Sequence, residues 1–147
     1  MHNNLKDIFD LHKNGKIETV PTVEVADAST LAKIYTPGVA KVCEEIAKDK
    51  DKAYEYTIKG KTVAIVTDGS AVLGLGDIGP YAGLPVMEGK AMIFKDFGGI
   101  YAFPIFLKES DPDKIVEIVK AIEPVFGAIN LEDIKAPGCF EIERRLN

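Results

Sequence analysis

Cysteine is scarce in this chain. Only two occur among 147 residues, Cys43 and Cys139. They lie far apart, so a disulfide framework is not expected, and no CxxC metal pair exists. Two half-buried thiols in a reducing compartment are the expectation. Long apolar runs are missing too. None approaches the roughly 20 residues of a membrane span. The polar start Met1-His2-Asn3-Asn4-Leu5-Lys6-Asp7 lacks the apolar stretch of a secretory leader. Positive charge is not in excess, with 18 basic residues against 23 acidic ones and a net charge of −5. Without a basic face, nucleic acid is a poor partner. No internal repeat or low-complexity segment occurs. These absences leave a cytoplasmic protein that binds neither membrane nor nucleic acid.

What is present is ordinary for a folded enzyme. Hydrophobic residues make up 46% and charged residues 28%, which argues against disorder, and the length suits one domain. Leu5, Ile8 and Phe9 predict a short opening helix that stops near Asn14-Gly15. Lys16 to Pro21 reads as extended. Asp27 to Tyr35 predicts a helix capped by Asp27 or Ser29. In Thr36-Pro37-Gly38, Thr36 can cap and Pro37 suits a first helical position. The helix that follows, to about Lys48, places Val39, Val42, Cys43 and Ile46 on one face. A helical turn is expected over Ala53 to Tyr56.

The second half alternates strands and helices. Thr62 to Thr67 is a β-branched run that fits a strand buried on both faces, as in a parallel sheet. Pro85 to Asp96 predicts a helix ending at Gly98-Gly99. Tyr101 to Leu107 is the next strand, and Pro104 puts it at an edge or bulge. Asp111-Pro112 caps and opens a helix with Ile115, Ile118, Val119 and Ile122 on its apolar face. Ala128 to Leu131 is a short strand, and Pro137 opens a last helix. The alternation predicts an α/β domain with a mostly parallel sheet flanked by helices. The last helix meets Asn147 with no cap, which leads us to expect a second domain downstream.

Four stretches carry candidate chemistry. Gly74-x-Gly76-x-x-Gly79 matches the dinucleotide fingerprint by letter. In that fold the first glycine follows the strand directly and the third opens the helix. Here Asp68 to Leu73 intervene, Pro80 follows the third glycine, and the helix begins only near Pro85. A tight turn at the carboxyl end of a strand, where open α/β sheets place ligands, is the better reading. Lys90 is either an exposed solubilising charge or, beside Gly89 and over apolar neighbours, a partly desolvated amine able to act as a base. Glu132-Asp133 follow a strand that has ended, so both can reach one ion, and their oxygens suit Mg²⁺ or Mn²⁺ better than zinc. A solvated acidic turn is the plain alternative. Tyr35 is either a packing residue with a wet hydroxyl or a proton donor ahead of a helix. Asp68 and Asp77 are expected to form loop hydrogen bonds or to orient other residues.

Together, Tyr35-Thr36-Pro37-Gly38-Val39, Asp68-Gly69 with Val72-Leu73-Gly74-Leu75-Gly76-Asp77-Ile78-Gly79, Gly83-Leu84-Pro85-Val86 with Gly89-Lys90, and Asn130-Leu131-Glu132-Asp133 resemble the N-terminal domain of the malic enzymes, of the small bacterial or archaeal type. The resemblance runs from about Leu31 to Leu146. It implies oxidative decarboxylation of malate to pyruvate and CO₂ with NAD or NADP and a divalent metal. It implies Lys90 as general base toward the malate 2-hydroxyl and Tyr35 as the acid that protonates enolpyruvate, in its own site or a partner subunit's. Glu132 and Asp133 match two of three metal acids, and Leu73 is a candidate substrate contact. The loop of larger relatives has an arginine where this chain has Ala71, so the substrate carboxylate needs another partner. No cofactor-binding residue is expected in this chain; the third metal acid and the nicotinamide domain would lie beyond Asn147. A homodimer or larger assembly is implied. A malolactic enzyme domain, or a non-catalytic domain that binds a dicarboxylate or a partner subunit, are the alternatives.

Overall fold

A computed structural model describes residues 4–147; the first three residues of the polar start lie outside it. In chain order the elements are α1 (Leu5–His12), α2 (Ala28–Ile34), α3 (Val39–Lys48), α4 (Lys52–Tyr56), β1 (Thr62–Thr67), α5 (Gly79–Ala82), α6 (Leu84–Gly98), β2 (Tyr101–Phe106), α7 (Pro112–Ile122), β3 (Ala128–Leu131) and α8 (Gly138–Leu146). Short 3-10 turns cover Ile58–Lys61 and Glu123–Val125. Two compact units form: one joins residues up to Ile17 with Lys61–Asn147, and the other is Glu18–Gly60.

In the first unit the strands make a parallel sheet of order β2-β1-β3. All six residues of β1 are buried, as the β-branched run predicts for a central strand covered on both faces. Alternation divides them. Val63 and Ile65 pack with Met87 and Ala91 of α6 and Ala102 of β2. Ala64 and Val66 pack with Ile115, Val116 and Val119 of α7 and Ile142 of α8. Pro104 sits in β2, an edge strand, where its missing N–H is tolerated. Asp111 caps α7 by accepting from the amides of Asp113 at 2.8 Å and Lys114 at 3.4 Å. Gly99 ends α6 at φ 67°, its amide donating to the Lys95 carbonyl at 3.0 Å.

The second unit holds α2, α3 and α4, none of which buries a residue. Asp27 caps α2 by accepting from the Thr30 amide at 2.6 Å. Two expectations fail here. Pro37 is not a first helical position: it lies in a turn, and α3 begins at Val39 behind Gly38, with no side-chain cap. The reason is a close approach, since a Cβ on Gly38 would sit 2.5 Å from the Lys33 carbonyl oxygen. The apolar face of α3 is only partly covered: Val39 and Ile46 are half-buried, but Val42 and Cys43 are exposed, so Cys43 is not half-buried as expected; Cys139 is. The Lys16 to Pro21 stretch forms no strand.

Candidate active site

The carboxyl ends of β1 and β3 and the body of α6 bring three of the named side chains together. Lys90 lies in the second turn of α6, and its ammonium donates to Glu132 Oε2 across 42 residues of sequence. Both side chains are partly exposed, at 32% and 27%, so the ion pair is open to solvent on one side. Asn130 supports the same oxygen. Its Nδ2 donates to Glu132 Oε2 at 3.1 Å and to the Leu131 carbonyl at 2.8 Å. Asp133 follows with φ 50°, a left-handed backbone that aspartate tolerates better than most residues. That conformation turns the chain sharply after β3. Burial first, and the neighbouring charge of Glu132 second, push the Asp133 carboxyl above the usual aspartate value, while Lys90 opposes them. Two acids and one ammonium thus gather beyond the carboxyl end of β3, partly open to solvent.

The glycine loop after β1 braces this corner. The Gly69 amide donates to Thr67 Oγ1 at 3.0 Å. Gly69 has φ 72°, and a Cβ there would lie 2.5 Å from the Gly79 carbonyl oxygen, so glycine is required on both counts. The amides of Ile78 and Gly79 each donate to the Gly69 carbonyl at 3.2 Å. Val72 and Gly76 exchange backbone hydrogen bonds at 2.9 and 2.8 Å, and the Leu75 amide donates to Val72 at 3.0 Å. These amides are spent inside the loop. The Ala71 amide reaches across to the Asp133 carbonyl at 2.9 Å, so the loop and the acidic turn are one structure.

Leu73 stands at the tip of this loop with its side chain 94% exposed. Tyr35 belongs to the other unit. It ends α2, its amide donating to Leu31 at 2.9 Å and its carbonyl accepting from Val39 at 2.8 Å, and its side chain is 66% exposed. Asp68 accepts from Ser70 through its amide and hydroxyl, which is the loop hydrogen bonding expected of it. Asn130 and Ser70 were not singled out from sequence. A polar residue inside the otherwise apolar strand Ala128–Leu131 was the signal for Asn130; the role of Ser70 depends on a partner 65 residues away.

The comparisons with known proteins agree in kind. A family model described as malic enzyme, N-terminal domain, matches residues 14–111 and 108–147. Over 138 residues the chain is 62% identical to the NAD-dependent malic enzyme of Geobacillus stearothermophilus, covering 94% of this chain and 29% of that protein. It is 58% identical over 143 residues to the bifunctional malic/malolactic enzyme of Bacillus subtilis, covering 96% and 35%. It is 55% identical over 140 residues to the NADP-dependent malic enzyme of Escherichia coli, covering 95% and 18%. Among solved structures, the malic enzyme of Pyrococcus horikoshii superposes with a TM-score of 0.93 at 57% identity, over 97% of this chain and 34% of that one. The NAD-dependent malic enzyme of Thermotoga maritima gives 0.91 at 56%, over 99% and 41%. The chain therefore spans 18 to 35% of the length of these curated relatives.

Proposed function

Because the chain belongs to the malic enzyme family, as an N-terminal domain of it, we propose that it supplies the proton-transfer residues and part of the metal site of an enzyme that oxidatively decarboxylates malate with NAD or NADP. The observation that carries this reading is the meeting of Lys90 with Glu132, beside Asp133, at the carboxyl ends of a parallel sheet. Ligands gather there in open α/β folds.

Glu132 and Asp133 are the residues of this chain that would hold Mg²⁺ or Mn²⁺. They offer carboxylate oxygens, the donors these ions prefer. The Asp133 carboxyl is raised first by burial and second by the charge of Glu132, and a cation would offset both by favouring its ionised form. The pair is not a whole site: among the described residues no three His, Cys, Asp or Glu side chains gather to hold an ion, so the remaining donors come from elsewhere. When bound, such an ion supplies Lewis-acid polarisation of the substrate oxygen and stabilises enolate charge.

Lys90, held by Glu132 as an ammonium, is a donor and not yet a base. Release from that carboxylate and loss of a proton to solvent give the free amine that accepts the 2-hydroxyl proton of malate as hydride leaves its C2. After CO₂ departs, Tyr35 gives a proton to the enolpyruvate carbon. General acid–base steps of this kind contribute about 10²–10⁴-fold each. The exposed Leu5 and Phe9 of α1, at 70% each, support an assembly of two or more copies.

The test is an assay of the full-length protein with malate, either nicotinamide cofactor, and Mn²⁺ added or chelated. Malate-dependent cofactor reduction with pyruvate formed, and its loss on chelation, is the expected outcome; no reduction with either cofactor sinks the reading. The similarity to a bifunctional malic/malolactic enzyme favours one alternative, which the same assay detects as lactate formed without net cofactor reduction.

A further inference from the structure

The turn that carries Asp133 is gripped from two sides by the loop after β1. On one side the Ala71 amide donates to the Asp133 carbonyl at 2.9 Å. On the other the Lys135 amide donates to Ser70 Oγ at 2.9 Å. The Ser70 hydroxyl spends its own proton on Asp68 Oδ1 at 2.6 Å, and the Ser70 amide donates to the same oxygen at 3.0 Å. Asp68 is buried at the end of β1, 8% exposed. The chain of bonds therefore runs from a buried carboxylate through one hydroxyl to the backbone two residues past Asp133. A hydroxyl that donates to a carboxylate is polarised into a better acceptor. Only a hydroxyl side chain can donate to Asp68 and accept from Lys135 with one atom.

We propose that Ser70 is a positioning residue for the metal-binding turn: by fixing the Lys135 amide it holds the turn at residues 133–135, with Asp133 in its left-handed conformation, and so keeps the Asp133 carboxylate beside Glu132. The inference rests on the reading of Glu132 and Asp133 as metal acids. Ser70 touches neither substrate nor ion in this account. Its effect passes through the backbone of Asp133, so its loss loosens the ion and leaves Lys90 and Tyr35 in place.

The experiment is a titration of Mn²⁺ into the full-length protein, followed by the electron paramagnetic resonance signal of the free ion, for wild type, S70A and S70T. Supporting positions of this kind change metal affinity by about 10- to 100-fold, so S70A is expected to bind Mn²⁺ at least tenfold more weakly. S70T, which keeps the hydroxyl, restores it. Turnover of S70A at saturating Mn²⁺ stays near wild type, a separation that a general loss of folding does not produce. Unchanged Mn²⁺ affinity in S70A overturns the role of Ser70 alone. Absence of Mn²⁺ uptake by the wild type overturns the metal reading and this inference with it. If S70A does not fold, S70C, close in size but a weak acceptor, gives the same comparison.

Discussion

The two units of this chain differ in what holds them together. Around β1 the sheet buries Ala64, Ile65 and Val66 completely, and Ile115 and Ile142 with them. In Glu18–Gly60 the helices α2, α3 and α4 have no fully buried residue, and Leu31, Ile34, Tyr35 and Val42 are exposed. Amphipathic periodicity is present in both. The first unit meets its own partners, strand against helix, within the chain. In the second, faces of the same kind are only partly buried. The candidate chemistry follows the same division. The candidate base Lys90 and the candidate metal acids Glu132 and Asp133 stand on the well-packed unit. The candidate acid Tyr35 stands on the other, and it is exposed.

The sharpest test of the division is functional. Lys90→Ala in the full-length protein is expected to lower turnover by a general-base factor of about 10²–10⁴ without unfolding it. Near-normal turnover would remove Lys90 from the mechanism. Tyr35→Phe should slow enolpyruvate ketonisation more than hydride transfer. Equal slowing of both steps would make Tyr35 structural and break the assignment of base and acid to different units.

Stability should divide in the same way. Ile115→Ala empties a site that is fully buried against β1, and truncations of this kind cost about 2–5 kcal/mol. Leu31→Ala, at a residue 46% exposed, should stay within about 0.5 kcal/mol in the absence of a covering partner. Denaturant melts of both variants check this. A large loss from Leu31→Ala at high protein concentration that vanishes on dilution would show that a second copy covers the face.

Glu132→Gln keeps the shape of the side chain and removes its charge. The Mn²⁺ requirement is expected to rise by more than the roughly tenfold that loss of a supporting contact causes. An unchanged metal titration would move the site off β3 and leave the Lys90–Glu132 pair as a structural bridge.

Most of the first unit was legible in the sequence because local and tertiary signals agree there. Thr62–Thr67 is β-branched and central; Asp111-Pro112 is both a cap and a helix start; Ala128–Leu131 ends where the acids begin. The glycine loop was legible as a turn, but its one-turn helix Gly79–Ala82 was not, because Gly-Pro spacing carries no helical period. Pro37 misled because the chain's path there is set by Gly38 lying against the carbonyls of Ala32 and Lys33, a contact between elements. The pairing of Lys90 with Glu132 needs 42 residues of intervening fold, and that of Ser70 with Lys135 needs 65. Residue types marked Lys90, Glu132 and Asp133 as candidates, and only the sheet order could place them together. On α3 the period named the apolar face; it could not say that Val42 and Cys43 on that face would be exposed while Val39 and Ile46 are half-buried.

The smallest effect concerns the cap that starts the Tyr35 helix. Asp27 accepts from the Thr30 amide, and that hydrogen bond is the main reason its carboxyl lies below the ordinary aspartate value of 3.8. A depressed folded value means that the charged cap favours the folded form above the unfolded value, and that this contribution disappears as pH falls through the folded one. Acid should therefore loosen the first turn of α2 only well below neutrality, and weakly, because the side chain is fully exposed to solvent and screened. No comparable dependence is expected of the β1 core, which has no such cap. The Thr30 amide resonance, followed through an acid titration, should move with a midpoint below 3.8. A midpoint at or above that value would mean that Asp27 does not cap α2 in solution.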